Sequence, residues 1–242
     1  MEPIFFATHL INTYVNDTPK TNASGFLFQR DERLFLVTSR HVVIDEKTNH
    51  HPTHLVIDFH TSETDLTKTL NLSIPLFENG KSVWRVGEDS AGVVDVAMVE
   101  LDRSAIPEHA IYNAFTPDNI PSPSQTIPIG STLLTIGYPM GFHDALHHLP
   151  VARQASLASA YGIRFKGNGY FLVDAWTHRG LSGAPVIMRF SDKSDGSGLL
   201  PWHLMGVHSA RLEASARDPE HDEILGLNAV WYSDILMALT NK

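Results

Sequence analysis

A serine flanked by glycines is the feature of this sequence best suited to covalent chemistry. Ser182 stands in the segment Gly180-Leu181-Ser182-Gly183. A serine hydroxyl attacks a carbonyl group efficiently only with a base beside it and with N–H donors where negative charge develops. Glycine lets the backbone turn tightly, so the amides of Gly180 and Ser182 are predicted to form an oxyanion hole. An ordinary loop has the same composition, so a base and a carboxylate must be found elsewhere.

Two other residues have the chemistry that such a serine needs. His41 follows the apolar segment 34–39, and the end of a strand can fix an imidazole ring, although a packed core histidine is the alternative. Asp95 lies within the segment 93–101, which is almost wholly apolar. A buried carboxylate needs a hydrogen-bonded partner because an unpaired buried charge is costly. Backbone amides near Asp95 are the alternative to a histidine partner.

The composition narrows the class of protein. With 242 residues, 43% of them hydrophobic, the chain can bury one large core or two modest ones. It has no cysteine, which excludes disulfides and thiolate metal sites. A net charge of −9 argues against general binding to nucleic acid. The sequence has neither a signal-peptide pattern nor an apolar segment long enough to span a membrane, so we expect a cytoplasmic protein without membrane contact.

Short apolar segments separated by turns predict an all-β fold. Two sets of about six strands, without long helices between them, predict two antiparallel six-stranded β-barrels. We expect an N-terminal barrel at 1–105, a connector at 106–128 where prolines interrupt regular structure, and a C-terminal barrel at 129–242 that ends in a short α-helix. The predicted strands are 25–29, 34–39, 55–59, 83–86, 93–101, 132–137, 153–158, 170–174, 185–188, 204–208 and 226–230.

Three short motifs occur in an order typical of one enzyme family. They are Thr38-Ser39-Arg40-His41-Val42-Val43, then Asp95-Val96-Ala97, then Gly180-Leu181-Ser182-Gly183-Ala184-Pro185. In this order the chain resembles the chymotrypsin-like (trypsin-like) serine proteases, especially the bacterial trypsin-like peptidase domains related to the high-temperature-requirement proteases. The resemblance extends from Ser24 to Leu239, nearly the whole chain.

The resemblance implies a catalytic role for each motif. Ser182 would attack the scissile carbonyl, His41 would carry the proton to the leaving amine, and Asp95 would orient the imidazole. His41 and Asp95 would come from the first barrel and Ser182 from the second, so catalysis would lie between the barrels. The substrate would be a protein or peptide, with neither a metal nor an organic cofactor.

The resemblance also suggests which substrates fit. Trp176 stands where trypsins have the aspartate that binds basic side chains, so cleavage after Lys or Arg is not expected. Thr177 and His208 match a pattern of glutamyl endopeptidases and picornaviral proteases, in which they contact a Glu or Gln side chain, so we expect cleavage after Glu or Gln. Ser209 and its neighbours would form the edge strand that pairs with the substrate backbone.

Several alternatives remain open on the sequence alone. A double barrel that binds peptides without cleaving them would have the same pattern, as would a hydrolase that acts on non-peptide esters with the same triad. His208 is also consistent with simple packing beneath the pocket. His143 and His147 have the i, i+4 spacing of a metal-binding pair, but no third ligand is suitably spaced, so we do not expect a metal site.

Overall fold

The chain folds into two β-rich halves, as seen in a computed structural model that describes residues 1–189, 200–211 and 226–241. The first half contains nine strands, all of which pair in antiparallel fashion. These strands are β1 (Thr8–Val15), β2 (Thr18–Arg30), β3 (Arg33–Thr38), β4 (His54–His60), β5 (Thr69–Pro75), β6 (Phe77–Glu78), β7 (Lys81–Ser82), β8 (Trp84–Asp89) and β9 (Gly92–Glu100).

Seven of these strands form one sheet in the order β5-β4-β1-β2-β3-β9-β8. In β3 every residue from Leu34 to Thr38 is buried because both faces of the sheet are covered. Leu34 and Leu36 face a core within the first half, whereas Phe35 and Val37 face a core shared with the second half. Because of this alternation, one face of β3 packs at the junction of the two halves.

The second half is a closed six-stranded barrel in the order β10-β11-β12-β15-β14-β13. Its interior contains the buried side chains of Leu133, Phe171, Val186 and Met205, which come from four different strands. The strands are β10 (Thr132–Gly137), β11 (Val151–Leu157), β12 (Tyr170–Asp174), β13 (Pro185–Arg189), β14 (Trp202–Arg211) and β15 (Leu227–Tyr232).

The described residues include two short α-helices, and one of them connects the two halves. Helix α1 (Arg40–Val43) directly follows β3, and α2 (Ile235–Leu239) follows β15 and packs on β8 of the first half. Arginines of the first half donate to carbonyl oxygens at the end of α2, from Arg30 to Met237 at 2.9 Å and from Arg85 to Leu239 at 3.2 Å. The second half of the chain is therefore tied to the first at its end.

The all-β class, the closed six-stranded barrel and the final short helix are confirmed. The first half contains a seven-stranded sheet where a barrel of about six strands was predicted; five of its strands overlap predicted segments, and β1 and β5 lie outside all of them. The predicted connector, 106–128, lies between the end of β9 and the start of β10; its role as a domain boundary stays a prediction. In the described part of the chain, no helix is long and apolar enough to cross a bilayer.

Candidate active site

His41 and Asp95 are brought together by the pairing of β3 with β9. Thr38 lies opposite Ala97 in this pair, so Asp95, two residues before Ala97, reaches the start of α1. His41 Nδ1 lies 2.8 Å from Asp95 Oδ2, and the backbone N–H of His41 donates to Asp95 Oδ1 at 3.0 Å. The two contacts fix the imidazole and leave its Nε2 atom on the side away from the carboxylate.

The charge of Asp95 controls the protonation of His41. Burial of the ring opposes protonation, but the hydrogen bond that His41 donates to Asp95 and the negative charge of Asp95, with a smaller effect of Asp45, outweigh burial. The pKa of His41 is therefore raised above its ordinary value. A base with a raised pKa accepts a proton more readily, provided that the pH is high enough to keep it neutral before the reaction.

The backbone of Ser182 is held by both halves of the molecule. Its carbonyl oxygen accepts a hydrogen bond from the backbone N–H of Ser24 at 3.0 Å, and the next amide, of Gly183, donates to the carbonyl oxygen of His208 at 2.8 Å. Gly183 has φ +83°, and a Cβ atom there would collide with Ser24 and Thr38. A side chain at position 183 would therefore push the serine away from the first half.

Ser209 links the serine to the carboxylate. The Ser182 hydroxyl donates to the Ser209 carbonyl oxygen at 3.2 Å, and the Ser209 hydroxyl donates to Asp95 Oδ2. Within residues 1–189, 200–211 and 226–241, no hydrogen bond joins Ser182 to His41. The predicted triad therefore lacks its serine–histidine hydrogen bond in this structure, a contact that in catalytic sites often forms only when substrate binds.

The peptide bond between Arg179 and Gly180 is oriented by the loop after β10. The Arg179 carbonyl oxygen accepts a hydrogen bond from the Met140 N–H at 2.5 Å, and the Ser24 hydroxyl donates to the Gly180 carbonyl oxygen at 2.7 Å. Because no peptide bond here is cis, the Gly180 N–H points opposite to the Arg179 carbonyl group. Among the described residues, neither the Gly180 N–H nor the Ser182 N–H has an acceptor.

Thr177 and His208 are also brought together, and they meet at a residue absent from the sequence-based prediction. The Thr177 hydroxyl donates to Asn228 Oδ1, and His208 Nε2 lies 3.4 Å from the same oxygen. The Asn228 amide donates in turn to the carbonyl oxygens of Ala175 at 2.8 Å and Gly226 at 3.1 Å. Asn228 therefore occupies both donors that were predicted to contact the substrate.

His208 is neutral at physiological pH. Burial lowers its pKa to about 4, against the opposing effect of its contact with Asn228. Its Nδ1 atom is buried and has no hydrogen-bond partner in the described part of the chain. A neutral imidazole offers one N–H, and the contact at 3.4 Å assigns that N–H to Nε2.

The remaining candidates lie apart from this cluster. Trp176 is 62% exposed, and its carbonyl oxygen accepts a hydrogen bond from Arg153 at 2.6 Å. His147 pairs with Asp144 at 2.8 Å, and the His143 ring packs against Tyr138. Over the described ranges, no group of three or more histidine or acidic residues is arranged to hold a metal ion.

Sequence reasoning missed Asn228, Met140 and Ser24. Their contacts with Thr177, Arg179 and Gly180 join residues far apart in the chain. Of these three residues, the sequence pattern could have indicated Asn228. It is a polar residue in the apolar segment 226–230, and this predicts a buried hydrogen-bond partner, as it does for Asp95.

Comparisons with known proteins show the family and the fold of the chain. The family model of the trypsin-like peptidase domain matches residues 23–190. A serine endoprotease of Yersinia pestis has a TM-score of 0.56 at 15% identity and is matched over 97% of this chain, which spans 61% of its length. No curated protein sequence matches this chain.

Two further solved structures are similar. A protease of M. tuberculosis in its active form has a TM-score of 0.52 at 15% identity, covering 98% of this chain and 79% of its own. An inactivated protease paralogue of the scabies mite has a TM-score of 0.59 at 18% identity, covering 98% and 93%. At such identities, these likenesses show a common fold.

Proposed function

The chain belongs to the trypsin-like peptidase domain family, which confirms the predicted resemblance and the serine-type peptidase class, and from this premise we propose an active serine endopeptidase whose nucleophile is Ser182. The observation that carries the proposal is the hydrogen-bonded chain from His41 through Asp95 and Ser209 to Ser182. It brings a base, a carboxylate and a hydroxyl from two halves of the molecule to one place.

The proposed reaction proceeds in two stages. Ser182 Oγ forms a bond to the scissile carbonyl carbon while its proton passes to His41, and His41 then protonates the leaving amine as the peptide bond breaks. In the second stage, water loses a proton to His41 and attacks the acyl carbon; the bond from that carbon to Ser182 Oγ breaks, and His41 returns the proton to Oγ as the carboxylic acid leaves. Asp95 accepts a hydrogen bond from the Nδ1–H of His41 throughout the reaction, and the negative charge of Asp95 stabilises the imidazolium.

The turn before the serine supports an oxyanion hole. The Met140 N–H holds the Arg179 carbonyl group turned away, so the Gly180 amide faces the opposite side, and the Ser182 amide lies two residues further on. Neither amide has an acceptor among the described residues. Two such donors would stabilise the negative charge on the carbonyl oxygen in the transition state.

We retain cleavage after Glu or Gln as the proposed specificity, with Gln favoured. Thr177 and His208 already bind the carboxamide oxygen of Asn228, which is the acceptor that a Gln side chain would offer. Both donors are neutral, since burial lowers the pKa of His208 to about 4, so they would not balance the charge of a Glu carboxylate. The substrate side chain has to replace Asn228 as their acceptor.

The experiment that tests the function compares the wild-type protein with Ser182→Ala. We expect a fluorophosphonate probe to label the wild type only, and a peptide library to be cleaved by the wild type with greatest turnover after Gln. Loss of the nucleophile should lower kcat about 10^6-fold, leaving about 10^3 to 10^4-fold acceleration over water.

Three outcomes would overturn parts of the proposal. Absence of labelling would indicate a peptide-binding protein without catalysis, an alternative favoured by the Ser182 hydroxyl bonding Ser209 in place of His41. Labelling with turnover of small esters but of no peptide would indicate a non-peptide hydrolase. Best cleavage after a small apolar residue would show that Asn228 keeps both donors.

A further inference from the structure

The first half of the molecule has an open seam between the outer strands of its sheet. β5 and β8 are the two edges of that sheet. They are joined only near one end, where the Val83 N–H donates to the Leu76 carbonyl oxygen at 3.1 Å. Away from this hydrogen bond, no pairing between β5 and β8 is found in the described residues.

A groove of about 400 Å³, here called the seam groove, lies at the mouth of this seam between β5 and the end of β9. Its floor is apolar and is formed by the buried side chains of Leu72, Ile74, Val99 and Leu101. Large apolar cavities open to solvent are uncommon on a monomer surface unless they bind something. No residue of the catalytic cluster lines the seam groove, so its occupant need not be the substrate.

The backbone beside the seam groove is free to pair. In the described residues, β5 makes backbone hydrogen bonds to β4 alone, so its outer row of N–H and C=O groups is unpaired. Such an edge is a template for an additional strand. Leu70 and Phe77, at the two ends of the edge, are 50% and 45% exposed, which extends the apolar surface beyond the groove.

The charges at the rim are acidic. Glu78, Glu100 and Asp102 line the seam groove, and no lysine, arginine or histidine does. Glu100 is paired with Arg33 and Arg85, so its charge is largely balanced. Lys81 lies opposite Glu78 in the β6–β7 hairpin, which leaves Asp102 as the carboxylate with the least compensation.

We propose that the seam groove binds an extended cationic segment of a partner protein, which adds to β5 as a further strand. Successive side chains of a strand point to opposite faces, so alternate apolar side chains would enter the groove while the lysines or arginines between them face the acidic rim. The backbone hydrogen bonds would supply affinity, and the rim would select positive charge.

The test uses a fluorescein-labelled peptide of alternating valine and lysine and the Ser182→Ala protein, which would not cleave it. Fluorescence anisotropy at low salt should show saturable binding, and the matched valine–glutamate peptide should not bind. The double substitution Glu78→Lys with Asp102→Lys should weaken binding about 10-fold, since two attractive charges become repulsive. Glu63→Lys, on an exposed loop outside the groove, is the control and should leave binding unchanged.

Two further measurements separate this site from the catalytic cleft. A peptide N-methylated at alternate residues, on the side that faces β5, should lose binding because it cannot donate to the strand edge. Equal binding of the acidic peptide, of the N-methylated peptide, or of wild type and the Glu78, Asp102 double variant would overturn the proposal. None of these readings depends on catalysis, so they stand apart from the test of peptidase activity.

Discussion

At the scale of single residues, Asp95 is the centre of the site because three donors converge on its carboxylate. These are the Nδ1–H and the backbone N–H of His41 and the hydroxyl of Ser209. A carboxylate with three donors is stable in a partly buried place where an unpaired one would not be. The anomaly in the sequence, an acid within an apolar strand, is thereby explained by a partner that the motifs had indicated.

The raised pKa of His41 predicts how activity depends on pH. His41 must be neutral to accept the serine proton, so kcat/KM should rise with pH through a pKa above the ordinary value of about 6.5. Asp95→Asn removes the charge that raises this pKa, so the rising limb should move to lower pH, and kcat should fall about 10^4-fold. Full pH–rate profiles of both proteins check this. If the rising limb of kcat/KM against pH is at the same pH in Asp95→Asn as in the wild type, Asp95 does not control the protonation of His41.

Ser209 is predicted to act through Asp95 as a positioning residue. Its hydroxyl donates to the carboxylate, so Ser209→Ala leaves that charge less compensated, and His41 should hold its proton more tightly. We expect the rising limb of kcat/KM to move to higher pH and kcat to fall about 10-fold, the loss of roughly one charge-assisted hydrogen bond. Ser209→Thr keeps the hydroxyl and should restore the wild-type profile. A purely structural role would lower the amount of folded protein without moving the limb.

The sequence predicted residue types better than it predicted their partners. His41, Asp95 and Ser182 stand in short motifs, because a proposed base and nucleophile need particular neighbours to shape the backbone around them. Neither Ser24 nor Asn228 lies in such a motif, although Asn228 is a polar residue in an apolar segment, because their contacts with Gly180 and Thr177 cross the fold. A contact between distant residues becomes visible only when the topology brings their strands together.

At the scale of elements, the turn at Gly180 connects the loop after β10 to the segment that contains Ser182. Gly180 has φ +92°, and a Cβ atom there would lie 2.5 Å from the Tyr138 carbonyl oxygen and 2.6 Å from the Met140 nitrogen. Met140 is the residue that orients the Arg179 carbonyl group. Any side chain at position 180 therefore pushes apart the two segments that shape the proposed oxyanion hole.

Gly180→Ala should consequently impair catalysis more than substrate binding. We expect kcat to fall about 10^2 to 10^3-fold with a small change in KM, as for loss of one oxyanion donor. Gly162→Ala is the matched control, because Gly162 also has positive φ, at +84°, but no atom within 4 Å of the added Cβ. Steady-state kinetics on one peptide compare the two variants. Equal effects would mean that backbone strain alone, not the oxyanion hole, explains the loss.

The strands show where periodicity succeeds and where it fails. Apolar runs such as that of β9 predict buried strands directly. β5 alternates between buried apolar and exposed polar residues, with Leu72 and Ile74 buried and Ser73 exposed, so periodicity could have predicted this strand too. β1 alternates in burial but not in polarity, because its buried residues include polar His9 and Thr13, and Thr13 is satisfied by a hydrogen bond with Thr21 on β2. Such a strand is recognisable only from its neighbour.

At the scale of the whole molecule, the two halves share one hydrophobic core. Phe26, Phe35 and Val37 of the first sheet belong to the same buried cluster as Leu204 of the barrel and Leu236 of α2. The proposed catalytic residues come from both halves, His41 and Asp95 from the first and Ser182 from the second, so they can meet only while this shared core holds the halves together. The geometry of the site is thus a property of the interface between the halves, which no single motif determines.

Leu236→Ala tests whether this shared core makes the halves unfold together. Leu236 is fully buried in α2, so its truncation should cost about 2 to 5 kcal/mol of unfolding free energy. Ile129→Ala, at a side chain that is 70% exposed, should change the unfolding free energy by less than about 0.5 kcal/mol. Urea titrations followed by tryptophan fluorescence and by circular dichroism should give coincident single transitions for the wild type and both variants, and activity should be lost along the same curve. Two separate transitions, or activity that disappears before either probe changes, would show that the halves are stable apart and that the site forms only when they dock.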